Sequence, residues 1–512
     1  MNNINLNKKS FILILLKIFS ILYVIPLCLI IGSLGGALYG YAYSIILVLT
    51  VFSTTGISFA SSKLITKYNN DLKILNISKY IMYVINLIVF LILLIFSNNL
   101  ANYIVGDLYL VKVEDMDFVI KASAFYILFT TPISIYKGYV EDKELNQSLS
   151  LADILEGIIK AVLITLSTLI GLKVFNLELK YLILLILTSS FIASLISSIY
   201  LKVVIVKFNK KRIIKSKIKV DKKLINLIIN YSVPFILLDL FNSISTGYDS
   251  LYLVKVLVNN FKYNIYDAYE VFGILSFYAR YLNELILVFI SGIIAYVITN
   301  KRYKTNEQKI NKSLQLVLFI GLPIIVIISI LSGNIWNVFY GKSEFGSVAF
   351  GYYIFLVFFY VLFLICSKNL IELKEYKFLY IIMFIGLLIN ISLKMPLLEG
   401  LNKMGLPAYY GSITSIILGY FIPVLISLIF FNLKYKINYE NTIKVILDII
   451  MAILVLAIVL VLLKIIIPIN STNRFINLII LIVEFIIGMI VYFFVSIKNG
   501  VIYKILDNIG GK

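Results

Sequence analysis

The chain has no histidine, and only two cysteines and one tryptophan among its 512 residues. Without histidine, imidazole metal sites, histidine general bases and Ser-His triads are excluded. Cys28 and Cys366 both lie inside long apolar runs, and read as small hydrophobes rather than as a disulfide or a metal pair. Charge is scarce as well: 14% of residues are Asp, Glu, Lys or Arg, against about 25% in an ordinary soluble domain. No Gly-rich loop ending in Lys-Ser/Thr appears, so a P-loop ATP site is not expected.

What remains is apolar. Hydrophobic residues make up 61% of the chain and the mean hydropathy is +1.00. Soluble cores stop growing near about 250–300 residues, so this much apolar surface needs lipid as its solvent. Reading apolar windows of about 20 residues bounded by charge or Gly/Pro/Asn clusters gives about 14 candidate spans. They cover 10–32, 37–60, 80–105, 117–137, 153–172, 181–201, 224–248, 271–298, 313–335, 346–367, 378–397, 406–431, 445–466 and 475–497. The runs are continuous rather than alternating, which argues against a β-barrel. The first run is too long for a cleaved signal peptide and lacks a small-residue cleavage site.

The net charge of +20 fits the same picture, because the lysines sit between the apolar runs. With a cytoplasmic N-terminus, the cytoplasmic connections and both termini hold roughly 32 of the 46 Lys+Arg, against about 10 in the opposite loops. This bias predicts both termini inside and argues for membrane topology rather than nucleic-acid binding. The basic segment 207–223 is the outlier. It reads as a topology anchor, as an amphipathic helix on anionic headgroups, or as both. It divides the expected all-α polytopic protein into a six-helix lobe (1–206), the linker (207–223), a second six-helix lobe (224–432) and two further helices with a cytoplasmic tail (433–512).

Ionisable groups inside a span cost about 2.5–3.5 kcal/mol on insertion scales and usually face a polar environment. Lys17, Lys121, Asp153, Glu156, Lys160, Asp239, Asp249, Arg280, Glu284 and Asp448 lie in or at the ends of the runs, with Lys63 and Lys394 at span ends. Glu156/Lys160 and Arg280/Glu284 have i,i+4 spacing, so each pair can neutralise itself or line a polar cavity. Lys63, Lys121, Asp249, Lys394 and Asp448 are close enough to span ends to snorkel. Lys17 has no acidic residue near it in sequence and therefore calls for a partner from another helix or from an anionic substrate. Pro26, Pro132, Pro234, Pro323, Pro396 and Pro423 are candidate kinks.

Several words in the sequence resemble one family. They are Ile25-Pro-Leu27, Ile31-Gly32, Gly36-Ala-Leu-Tyr39, Ala42-Tyr43, Ser53-Thr-Thr-Gly-Ile57 and Ser62-Lys-Leu64. Further along come Lys137-Gly-Tyr139, Ala152-Asp-Ile-Leu-Glu156, Ser232-Val-Pro234, Asp249, Phe272-Gly-Ile-Leu275, and Gly386 with Lys394. In order and spacing they are similar to the stage V sporulation protein B and YtgP-like polysaccharide-transport proteins. Those proteins are relatives of the MurJ lipid II flippases in the MATE-like flippase superfamily. The resemblance implies two six-helix bundles around a central cavity plus two extra helices. It implies alternating-access movement of an undecaprenyl-pyrophosphate-linked sugar across a bacterial cytoplasmic membrane, with cavity cations holding the pyrophosphate. Carried over by position, those cations are Lys17, Lys63 and Lys394, with Glu156 and Asp249 as acidic partners. The family's usual arginine before Ile-Pro-Leu is Val24 here, and its Arg-Gly-Tyr is Lys137-Gly-Tyr139. Lysine binds phosphate as a point charge without the bidentate fork.

The expected cargo-facing set is thus Lys17, Lys63, Glu156, Lys160, Asp249, Arg280, Glu284 and Lys394. No catalytic residue, cofactor or metal is expected, and a monomer is. Driving force is expected from membrane potential, an ion gradient or consumption of the product. The competing function is a MATE-type exporter of cations or drugs coupled to Na+ or H+, whose cavity should be predominantly acidic. An integral-membrane glycosyltransferase would need a carboxylate-rich loop and a larger external segment, and neither is present. A non-transporting scaffold in a division or sporulation complex is the remaining alternative.

Overall fold

The computed structural model describes residues 23–52, 55–68, 71–106, 108, 110–129, 131–142, 145–208, 222–299, 305–467 and 474–506. Among the described residues all regular structure is helical, as the continuous apolar runs require. Twelve helices among the described residues are long and apolar enough to cross a membrane. Two places account for the difference from 14. Residues 10–22 of the first expected span lie outside the described residues, and its remainder joins the second in one segment, α1 (Val24–Thr50). The fourth span is two shorter helices, α4 (Val113–Phe129) and α5 (Thr131–Asp142). Pro132 stands in the first turn of α5, where its missing N–H breaks no helical bond.

Within α1 the break is at Gly32, at φ 64° and ψ −170°. Only glycine reaches that region cheaply, so this residue forms the corner between the first two expected spans.

The chain packs as two compact units, 1–278 and 279–512. In the first, α1 to α5 are followed in space by α6 (Asn146–Lys173) and α7 (Leu179–Phe208), a tightly packed antiparallel pair; α2 (Thr55–Tyr68) and α3 (Asp71–Val105) complete the set. Helices α8 (Lys222–Gly247), α9 (Asp249–Asn259) and α10 (Ile265–Gly273), and the π-helical turn Ile274–Tyr278, also belong to this unit. Small residues explain why. A Cβ on Gly36 would meet the Tyr278 ring at 2.4 Å, one on Gly40 the Ser276 hydroxyl at 2.0 Å, and one on Gly273 the α1 backbone at 2.9 Å. The Gly36-x-x-x-Gly40 spacing is the close-approach pattern of membrane helices. Tyr278 then donates from its hydroxyl to the Gly32 carbonyl at 2.5 Å. Likewise Gly56 on α2 sits against Ile236 and the Ser232 carbonyl of α8. The packing boundary therefore falls at Tyr278, whereas the division at 207–223 followed charge and helix count; residues 209–221 of that linker lie outside the described residues.

The second unit contains α11 (Ala279–Thr299), α12 (Asn306–Ile330), α13 (Ser332–Phe339), α14 (Gly346–Tyr353), α15 (Phe355–Glu372), α16 (Tyr376–Lys403), α17 (Tyr410–Tyr435), α18 (Glu440–Ile466), α19 (Arg474–Lys498) and α20 (Val501–Leu506). Helices run on through Pro234, Pro323, Pro396 and Pro423. Helices α16 and α17 pack closely, and a Cβ at Gly411 would meet the Leu398 backbone nitrogen at 2.3 Å. Backbone cannot rotate aside, so Gly411→Ala is expected to destabilise the protein by about 1–3 kcal/mol, read as a lower Tm in detergent micelles. Neither cysteine forms a disulfide; Cys366 is buried and Cys28 half-buried.

Candidate functional site

Among the described residues, a dense intramembrane polar cluster lies in the first unit, where α5, α6 and α7 meet. Lys137, five residues before the end of α5, lies against Asp153, seven residues after the start of α6. Lys137 Nζ lies 2.8 Å from Asp153 Oδ1 and 2.9 Å from Glu156 Oε2. The other Glu156 oxygen accepts from the Ser194 hydroxyl on α7 at 2.7 Å. All three charged side chains are less than a third exposed, so the bonds form where water screens them poorly.

Asp153, Glu156 and Lys160 occupy one face of α6 at i, i+3 and i+7. The i,i+4 spacing allows Glu156 to pair with Lys160, but the salt bridge of Glu156 is to Lys137, which reaches it from α5. This leaves Lys160 for another environment. Its Nζ stands 5.6 Å from the centroid of the Tyr23 ring, and Tyr39, Tyr43 and Tyr126 are its further electrostatic neighbours. Tyr39 and Tyr43 are one helical turn apart and stack at 6.0 Å. The cluster as a whole carries two cations, Lys137 and Lys160, and two anions, Asp153 and Glu156. It is neutral overall, but charge is distributed unevenly. The carboxylates are bonded to Lys137, while the Lys160 ammonium stands over the Tyr23 ring, with Tyr39, Tyr43, Tyr126 and Glu156 within reach of its field.

Helix α7 supplies the polar wall. Ser189, Ser190, Ser194, Ser197 and Ser198 are all buried. Ser189 pairs with Ser167 of α6 at 3.1 Å, and Ser197 donates to the Ala152 carbonyl at 3.0 Å. Small hydroxyls at helical spacing allow two membrane helices to approach while bonding across the seam.

The other expected residues are dispersed. Lys17 lies outside the described residues. Lys63 is exposed on α2 and stands 5.1 Å from the Phe235 ring centroid. Asp249 is buried in the first turn of α9, where the helix dipole favours an acid. In the second unit, Arg280 Nε and Glu284 Oε1 do pair, at 3.3 Å. Lys394 is 1% exposed and does not snorkel; it lies one turn from the buried Asn390, whose Oδ1 accepts from Ser415 at 3.0 Å. Lys121 and Asp448 have ordinary partners, Asp117 and Lys504, both at 2.6 Å.

Sequence reasoning left Lys137 and Asp153 out of the cargo-facing set. The words Lys137-Gly-Tyr139 and Ala152-Asp153 had both stood out, but nothing in their spacing joined them. The tyrosines around Lys160 were missed because tyrosine is everywhere in this chain, with 37 copies. Glu484 in the last span was passed over entirely, although it is fully buried.

With this geometry in place, the relatives are informative. The Lipid II flippase MurJ of Bacillus subtilis (strain 168) is 24% identical over 437 residues, covering 79% of each chain. A solved lipid II flippase MurJ in an inward closed conformation superimposes with a TM-score of 0.66 at 19% identity, over 99% of this chain and 100% of that one. An inward-facing multidrug resistance MATE family transporter of the MOP superfamily gives 0.58 at 13% identity, over 83% of this chain and 94% of its own. The structural likenesses establish a MurJ/MATE-like helical fold. Residues 6–271 match the polysaccharide biosynthesis protein family, and that stretch takes in α1 to α9, including the whole Lys137–Glu156–Lys160 cluster. A match over more than half of the chain, centred on its intramembrane polar cluster, makes this multi-pass membrane protein a member of the polysaccharide biosynthesis protein family.

Proposed function

We propose that the protein is a flippase for an undecaprenyl-pyrophosphate-linked sugar, a lipid II-like cell-wall or polysaccharide precursor, in a bacterial cytoplasmic membrane. The observation that carries this reading is the asymmetric cluster of the first unit. Asp153 and Glu156 are bonded to Lys137, while Lys160 presents its ammonium among Tyr23, Tyr39, Tyr43 and Tyr126. An ammonium in a tyrosine-rich setting suits a phosphate oxygen, and charge-assisted bonds are about twice as strong as neutral ones. Tyrosine rings add flat amphipathic surface for a sugar face. The kinship with the Bacillus subtilis flippase supports the same cargo class.

The headgroup cannot cross hydrocarbon unaided, and moving it requires no covalent step. Alternating access would expose the binding groups to one leaflet and then the other, with the polyprenyl tail remaining in lipid. Moving one charge through 100 mV supplies about 2.3 kcal/mol, enough to bias a two-state carrier. The basic segment 207–223 would rest on anionic headgroups of the cytoplasmic leaflet. A MATE-type exporter coupled to Na+ or H+ is the second reading, favoured by the shared fold. Its cation would have to compete with Lys137 for both carboxylates.

A binding measurement tests the cargo class. The full chain in nanodiscs is expected to bind undecaprenyl pyrophosphate at least tenfold more tightly than undecaprenol, and Lys160→Gln is expected to remove most of that preference. Equal affinity for the two lipids would rule out a pyrophosphate site.

A further inference from the structure

The last membrane helix buries its polar side. The residues of α19 hidden from the surroundings are Asn477, Glu484, Gly488, Tyr492 and Ser496, and its exposed side is Phe and Ile. The stripe is about 28 Å long at 1.5 Å per residue, close to the hydrocarbon thickness. Glu484 stands near its middle, ten residues from Arg474 and fourteen from Lys498.

Glu484 is 0% exposed. Its Oε2 accepts from Asn334 Nδ2 of α13 at 3.2 Å, and among the described residues its Oε1 has no hydrogen-bond partner. Gly488, one turn on, lets Leu456 and Leu460 of α18 approach within about van der Waals contact. That packing seals the carboxyl on the α18 side.

The charged groups on the neighbouring helices are occupied elsewhere. Lys464 of α18, the cation whose field reaches Glu484, donates to the Ile330 carbonyl at 3.3 Å. Asp448 of α18 and Lys504 of α20 pair with each other. On α12, Lys309 pairs with Glu372, Lys312 donates to the Lys504 carbonyl, and Glu307 accepts from the Asn438 N–H. Helix α13 carries no charged residue, and offers Asn334 and Trp336. On α19 itself, Arg474 lies beside Gly341, and Tyr492 donates to the Phe319 carbonyl.

An ionised carboxylate here would have one neutral donor for two oxygens, in a sealed apolar setting near mid-membrane. Burying such an ion costs several kcal/mol, and a single amide bond returns about 1 kcal/mol. Adding a proton removes the charge altogether. We propose that Glu484 is an intramembrane proton-binding site: Oε1 holds the proton while Oε2 accepts from Asn334, and the proton leaves when the α13–α19 contact opens to water. The ligand is H+, and the site gives the carrier a means of coupling to a proton gradient. The inference does not depend on which cargo is carried.

Infrared difference spectroscopy of the full chain in lipid vesicles tests it without a cargo. At pH 7 the wild type is expected to show the C=O stretch of a protonated carboxylic acid, and the near-isosteric Glu484→Gln variant is expected to lose it. Asn334→Leu removes the donor that favours the ionised form, and so should keep the band to a pH about one unit higher. It provides the readout if the glutamine variant does not fold. A band that is absent at pH 7, or unchanged by Glu484→Gln, overturns the proposal. So does a carboxylate signal that responds to Na+ at constant pH, because that would make the site a metal-cation site.

Discussion

Lys137→Ala is expected to lower the stability of the protein by about 3 kcal/mol and to abolish transport. Removing one member of a buried ion pair costs about 3–5 kcal/mol because the partner charge is left uncompensated. Here the partners are two, Asp153 and Glu156, each with a bond of under 3 Å to the same Nζ. Both retain some exposure, which places the cost at the lower end of that range. Ser194 would remain as a donor to Glu156, but Asp153 would lose its salt bridge. Thermal unfolding in detergent should therefore show a large drop in Tm for Lys137→Ala. The triple variant Lys137→Met, Asp153→Asn, Glu156→Gln carries no charge at these positions and should recover most of the loss. If the single and triple variants are equally destabilised, packing rather than charge balance holds the α5–α6–α7 contact together.

Lys160→Ala should separate function from folding. Lys160 makes no salt bridge in the cluster, and its aromatic contact with Tyr23, at 5.6 Å, contributes about 0.5–1 kcal/mol. Its loss is therefore expected to change Tm little. The expected effect on transport is much larger, tenfold or more, since a charge-assisted bond to phosphate contributes about 1.5–3 kcal/mol. Lys160→Arg keeps the cation and should retain most of the activity. A glutamine at the same position keeps the length and loses the charge, so it should behave like alanine. Equal activity of the wild type and Lys160→Gln would remove the ammonium from the mechanism.

The two variants also show which parts of the protein could be read from the sequence. Apolar runs report on membrane helices directly, because every backbone polar group in lipid must be bonded within its own segment. That is why the spans from Asp71 to Lys498 fall close to their expected places. Breaks were harder. Gly32 and Pro132 both appear in the sequence as ordinary punctuation, yet one turns a corner inside α1 and the other begins a second short helix. Gly36 and Gly273 belong to words of the family resemblance, and Gly40 does not. Their physical meaning, close packing of α1 against α10 and the π-helical turn, needed the partner helix.

The site was legible only in pieces. Arg280 and Glu284 pair as their spacing suggested, since i,i+4 contacts depend on the helix alone. Glu156 and Lys160 have the same spacing and a different outcome, because a stronger partner reaches Glu156 from 19 residues away. Lys394 sits near a span end where snorkelling is easy, but tertiary packing encloses it at 1% exposure. Spacing predicts which groups can meet within a helix. It does not predict which of several partners wins.

The decisive measurement is a transbilayer assay in a bacterium depleted of its own lipid II flippase and expressing this chain. The readout is the amount of lipid II accessible at the outer face of the membrane. Restored exposure with the wild type, lost with Lys160→Gln at equal membrane abundance, is the expected result. A well-expressed wild type that restores no exposure would contradict lipid II as the cargo. Restoration that survives Lys160→Gln would contradict the cationic, tyrosine-lined site as its carrier.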